Sequence, residues 1–275
     1  MNALEIRGLT KRRGDFALQG LDLTLPAGCI MGLIGENGAG KSTTIRLILN
    51  ALSRDGGTVA VYGKDNRALT PLEREDIGAV LDEVGLPEYM TARQIGRMMA
   101  GIFARWQPEV YRDYLRRLAL PEDKTFRDFS RGMKMKLGLA ALSHQPKLLL
   151  LDEATSGLDP VVRDEILTIF ADFTRDEEHA VLISSHIVSD LEKICDYIAF
   201  LHKGRLLLCE EKDRLTEEYG ILRGGTDGIA PAAVCGRHAT PYGTEYLVRR
   251  DAVPVGMALG QVNIEDLFVF MAKEA

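Results

Sequence analysis

Residues Gly35 to Thr43 read GENGAGKST, after the apolar stretch CIMGLI at 29–34 and before TIRLIL at 44–49. Glycines, a lysine and hydroxyls between a buried strand and a helix match the phosphate-binding pattern GxxxxGK(S/T), with Gly35, Gly40, Lys41 and Ser42 at its fixed places. In such a loop the backbone amides and the positive end of the helix face the phosphates. Lys41 is then expected to reach the β and γ oxygens from a solvent-accessible position, and the Ser42 hydroxyl to ligate magnesium. This pattern alone leaves kinases, GTPases and motor ATPases open.

A second group of residues narrows the chemistry. In LLLLDEATSGLDP, at 148–160, an apolar run delivers Asp152 and Glu153 to its end. A carboxylate there can hold magnesium, and the next one can activate a water as general base.

The elements that must position these groups follow from periodicity. From Leu4 to Pro26, alternating apolar residues interrupted by Gly8, Gly14 and Gly20 predict short antiparallel strands joined by turns. CIMGLI, KLLLL, AVLIS at 180–184 and YIAFL at 197–201 are continuous apolar runs, as strands of a parallel sheet covered on both faces would be. Helical spacing separates them, for example from Val161 to Phe173, so the chain reads as α/β with crossover helices. Thr91 to Leu120 predicts a small helical lobe around Trp106, with a second helix starting at Pro108. Beyond Asp213 the composition shifts, and Asn263 is placed to cap a last helix.

The 275 residues can bury a full core, and a formal charge of −6 with 46% hydrophobic and 27% charged residues argues against a surface built to neutralise nucleic acid. No nucleic-acid partner is expected. Cys29, Cys195, Cys209 and Cys235 form no CxxC pair and read as free thiols of a reducing compartment. No apolar run approaches the roughly 18 residues of a membrane span or forms a signal peptide, so action at a membrane is expected to occur by docking.

Taken together, the text resembles the ATP-binding cassette (ABC) ATPases over residues 2–212. Five elements carry the resemblance in family order: GENGAGKST as Walker A, FSRGMKMKL at 129–137 as the signature, LLLLDE as Walker B, SGLDP as the D-loop, and SSH with His186 as the switch histidine. The wording SRGMK and the tail look like cassettes that pair with ABC-2-type membrane subunits, including the YtrB-like group.

The resemblance implies a P-loop NTPase cassette with a mixed sheet, an N-terminal antiparallel β subdomain and an inserted helical subdomain at about 85–145. A small C-terminal α+β appendix would occupy 213–275. It implies ATP and Mg2+ as cofactors, with Gly35, Glu36, Asn37, Gly38, Ala39, Gly40, Lys41, Ser42 and Thr43 around the phosphates. The metal falls to Ser42, Asp152 and Asp82, and catalysis to Glu153, His186 and Lys41. A second cassette, identical or not, would face the first, so that Ser130 and Gly132 contact the γ-phosphate held by the partner. An ABC-2-type membrane permease subunit would be driven by the pair at the cytoplasmic face of the cell membrane, with the cassette bound peripherally.

Three residues depart from the family pattern. Asp82, in IGAVLDEVG, stands where a glutamine is usual, Arg13 stands where an aromatic residue usually stacks on adenine, and Arg131 replaces the first signature glycine. A guanidinium plane can also stack on a base, and Phe16 is close by in sequence. The alternative reading is a soluble ABC-type ATPase of translation or repair, or a regulator not coupled to transport. Such soluble proteins usually carry two cassettes or a coiled-coil insertion, neither of which is visible here.

Overall fold

The computed structural model describes residues 1–226, 228–241, 243–254 and 257–274. Strand β1 (Asn2–Arg13) pairs antiparallel with β2 (Phe16–Pro26) around a tight turn at Gly14. The expected series of short strands is in fact two long ones. Gly8 and Gly20 mark shifts of register rather than strand ends, because bulges absorb the extra residues without breaking the ladder.

Strand β3 (Ile30–Ile34) leads through the glycine loop into α1 (Lys41–Ile48). The next elements, β4 (Gly56–Val61) and β5 (Lys64–Asp65), join the first sheet in the order β2-β1-β4-β5. A single-turn α2 (Pro71–Arg74) precedes β6 (Ile77–Val80), a strand that sequence patterning missed because it is only four residues long.

The helical lobe consists of α3 (Ala92–Ile102), α4 (Pro108–Arg117) and α5 (Arg131–Ala140). Thr91 and Gln94 form a reciprocal capping box at the start of α3, and Pro108 opens α4 as expected. Gly96 admits the Tyr111 ring, since a Cβ there would lie 2.4 Å from it. Tyr111 then donates its hydroxyl proton to the Ala92 carbonyl at 2.7 Å.

The second half of the chain supplies β7 (Leu148–Asp152), α6 (Pro160–Phe173), β8 (Ala180–Ser185), α7 (Val188–Ile194), β9 (Tyr197–His202) and β10 (Arg205–Glu211). The large sheet has the order β10-β9-β3-β8-β7-β6, with β10 antiparallel and the rest parallel. Every residue of β3, β7 and β8 is buried, which is why those runs are apolar without alternation.

The tail contributes α8 (Lys212–Glu218), β11 (Tyr219–Arg223), β12 (Val234–Thr240), β13 (Gly243–Arg249) and α9 (Ile264–Glu274). The Asn263 side chain accepts the Asp266 amide at 2.7 Å, as the sequence predicts. This unit is built onto the large sheet: Ile221, Leu247, Leu267 and Phe270 share one apolar core with Leu191, Ile198 and Phe200. Phe270→Ala is therefore expected to destabilise the whole chain, by about 3–5 kcal/mol as for other buried aromatic truncations. Urea unfolding followed by tryptophan fluorescence at Trp106 checks this, and an unchanged midpoint there would mean that the tail unfolds separately.

None of the described helices is long and apolar enough to cross a membrane. All four cysteines are free. Burial raises each thiol above its ordinary value, Cys209 to about 11, so thiolate chemistry at neutral pH is disfavoured.

Candidate active site

Parallel pairing places the carboxyl ends of β6, β3, β7 and β8 along one edge of the sheet, where α/β proteins bind their ligands. Asp82 follows β6 by two residues, the glycine loop follows β3, Asp152 ends β7 with Glu153 directly after it, and His186 directly follows β8. A cleft of about 380 Å³ opens there, lined by Arg13, Phe16, Glu36, Asn37, Gly38, Gly40, Lys41, Ser42, Thr43, Asp82 and Glu153.

The loop's shape depends on its glycines. At Gly35 a Cβ would lie 2.3 Å from the Leu201 carbonyl oxygen, so no side chain fits. Gly40 has φ 114 and caps α1 in the left-handed region, which favours glycine. Helix α1 begins without a side-chain cap, and the first amides of a helix have no partner within it. The tip of the first hairpin overhangs this loop, since a Cβ on Gly40 would lie 2.8 Å from the Phe16 ring.

Lys41 is buried rather than solvent-accessible, which corrects the expectation from sequence. Its ammonium donates to the Gly35 carbonyl at 2.7 Å and faces a Glu153 oxygen at 3.2 Å. The other Glu153 oxygen accepts from His186 Nδ1 at 2.7 Å. A carboxylate thus sits between the loop lysine and the histidine after β8. Glu153 has φ 52, a conformation that strains a residue with a Cβ by about 1–3 kcal/mol. Its amide holds that turn by donating to the Ser184 carbonyl and hydroxyl, each at 3.1 Å.

Asp152 lies just behind, 2% exposed, and accepts the Ser184 hydroxyl at 2.6 Å. Sequence reasoning did not single out Ser184, whose signal was its place in the SSH triplet. It also missed His202, which bonds the Glu36 carboxylate from the end of β9 at 2.8 Å.

Among the described residues no cluster of three His, Cys, Asp or Glu side chains could hold a metal alone. Magnesium seldom needs one, because it keeps waters and uses one or two carboxylates with substrate phosphates. Of the three residues expected to hold it, Ser42 and Asp82 line the cleft and Asp152 lies buried behind it. Ser130 and Gly132 do not line the cleft. Ser130 caps α5 by accepting the Met133 amide at 3.3 Å. Asp82 and Arg131, read separately as departures, meet in an ion pair at 3.2 Å.

Fold and cleft together define a P-loop nucleotide-binding protein of the α/β class. The family model described as ABC transporter matches residues 18–156. The ABC transporter ATP-binding protein YtrB of Bacillus subtilis (strain 168) is 32% identical over 218 residues, 78% of this chain and 74% of that one. The bacitracin transport ATP-binding protein BcrA of Enterococcus faecalis is 31% identical over 275 aligned residues, 95% of this chain and 87% of its own. A solved ATP-binding subunit of an ABC transporter superposes with a TM-score of 0.71 at 26% identity, covering 78% of this chain and 92% of that structure. The chain belongs to the ABC transporter family, as an ATP-binding and ATP-hydrolysing protein.

Proposed function

We propose that the chain is one of two cassettes that close around two ATP molecules and reopen when they are hydrolysed, moving a separate ABC-2-type permease at the cytoplasmic face of the cell membrane. The observation that carries this reading is Glu153, held between Lys41 and His186 at 3.2 and 2.7 Å beneath the glycine loop. Residues 35–43 hold the triphosphate, and Arg13 stacks on adenine beside Phe16. A γ-phosphate draws Lys41 and His186 to itself and leaves the Glu153 carboxylate to take a proton from water. Ser42, Asp152 and Asp82 would hold magnesium, which would supply charge compensation to the phosphates. Ser130 and Gly132 close the partner's site from the N-terminus of α5.

In this reading residues 2–212 are the cassette, with the helical subdomain at about 85–145, and 213–275 form an accessory unit. The similarity to a bacitracin transport and a daunorubicin/doxorubicin resistance ATP-binding protein supports a role in export. Affinity capture of the chain from detergent-solubilised membranes tests the partner: a polytopic membrane chain should co-purify, and ATP turnover should rise in the complex. Full turnover by a chain found only in the soluble fraction would favour the soluble ATPase.

The role of Asp82 has its own expected outcome. With both side chains more than half exposed, its pair with Arg131 contributes about 0–1 kcal/mol at most, so the carboxylate is free to exchange partners. Asp82→Asn should raise the magnesium concentration for half-maximal hydrolysis by about tenfold, while Arg131→Gln should leave it unchanged. Equal shifts in both variants would place Asp82 outside the metal's surroundings and make its effect one exerted through Arg131.

A further inference from the structure

Asp190 lies in the first turn of α7, four residues beyond His186, with its side chain 3% exposed. Its only cationic partner among the described residues is Arg163 in the first turns of α6, with Nε 3.6 Å from Oδ2. That is an ion contact and not a hydrogen bond, and both atoms lack any other partner. From the same guanidinium, Nη2 donates to the Leu158 carbonyl at 3.0 Å. Leu158 belongs to SGLDP, the segment that leaves Glu153, and Asp159 beside it caps α6 through the Val161 and Val162 amides at 3.1 Å.

Stability does not explain this arrangement. A buried carboxylate with an incomplete set of hydrogen bonds is commonly neutral or unfavourable relative to an apolar pair of the same size. Its position does explain it. Arg163 spans the two chain segments that leave the reacting edge, one from Glu153 and one from His186, and it touches each within a few residues of those side chains. The 2.7 Å contact of Glu153 with His186 requires both segments to keep one spacing.

We infer that Arg163 and Asp190 are positioning residues for ATP hydrolysis: they lock the segment after Glu153 to the helix after His186, so that base and histidine address the same γ-phosphate. This rests on the roles given to Glu153 and His186 above. A planar fork does this better than an ammonium, because Arg163 engages the carbonyl and the carboxylate from different nitrogens at once. Nucleotide binding does not depend on the lock, since neither residue lines the cleft at the glycine loop.

The test uses the full chain, with kcat and KM for ATP measured beside thermal midpoint and binding of a fluorescent ATP analogue. Arg163→Met and Asp190→Asn should each lower kcat by about 10- to 100-fold, as a misplacement near 1 Å does, with KM within about twofold. The double variant should be no slower than the worse single one, as coupled neighbours are, and Arg163→Lys should recover part of the rate. Wild-type kcat in Arg163→Met, additive losses in the double variant, or loss of analogue binding alongside the rate would each overturn the inference. Failure of the underlying reading looks different: the unaltered chain and Glu153→Gln would then turn over ATP equally.

Discussion

Lys41→Ala is expected to lower ATP hydrolysis by roughly 10²- to 10³-fold, the loss seen when one preorganised charge donor is removed from a reacting anion. The ammonium is the one side-chain cation that the glycine loop itself carries, and without ligand it rests on the Gly35 carbonyl and the Glu153 carboxylate. A γ-phosphate is a stronger acceptor than either, so the lysine has little distance to travel. ATP binding should weaken as well, because the ground-state phosphates lose the same contact. Removal also takes a donor from the carbonyl of buried Gly35, which costs about 1–3 kcal/mol, while the Glu153 oxygen, lining the open cleft, turns to water. A lower melting midpoint with a single cooperative transition should accompany the loss. Phosphate release, nucleotide titration and circular dichroism measure the three effects, and unchanged phosphate release would remove Lys41 from the site.

Glu153→Gln should lower hydrolysis by about 10²- to 10⁴-fold, the usual contribution of a positioned general base, and keep ATP bound. The amide preserves the shape of the side chain at its strained φ of 52, while the charge that competes with phosphate for Lys41 and His186 disappears. Uncleaved ATP should then hold two chains together, visible as a dimer by light scattering with magnesium and ATP. Adding Ser130→Arg should abolish that dimer by setting a bulky side chain against the partner's γ-phosphate, since Ser130 lies outside the chain's own cleft. Ser130→Ala controls for the lost helix cap, worth about 1 kcal/mol. Wild-type turnover in Glu153→Gln would refute the base, and a surviving dimer in the double variant would refute the shared site.

Much of the local structure is legible in the sequence, because its signals act over a few residues. Pro108 opens α4 at its first position and Asn263 accepts the Asp266 amide at the start of α9, signals that are complete within one turn. The glycine loop is local only in part: the positive φ of Gly38 and Gly40 belongs to the turn itself, whereas Gly35 answers to the Leu201 carbonyl, which the fold brings from β9. Strand β6 escaped because four residues carry too little periodicity, and the bulges of β1 escaped because a glycine in a strand resembles a turn.

By itself the sequence determined the motifs, their order, the α/β class and the family, since each rests on residue types at short spacing. Only the tertiary structure decided which side chains meet. Glu153 and His186 are 33 positions apart, and Arg131 and Asp82 are 49 apart. The contact of Arg163 with Asp190 and the packing of the tail on the sheet are likewise invisible along the chain. The burial of Lys41 belongs with them, because the Glu153 that covers it arrives from another strand. Strand order and register set these distances, and both follow from packing two apolar faces at once, so no local pattern carries them.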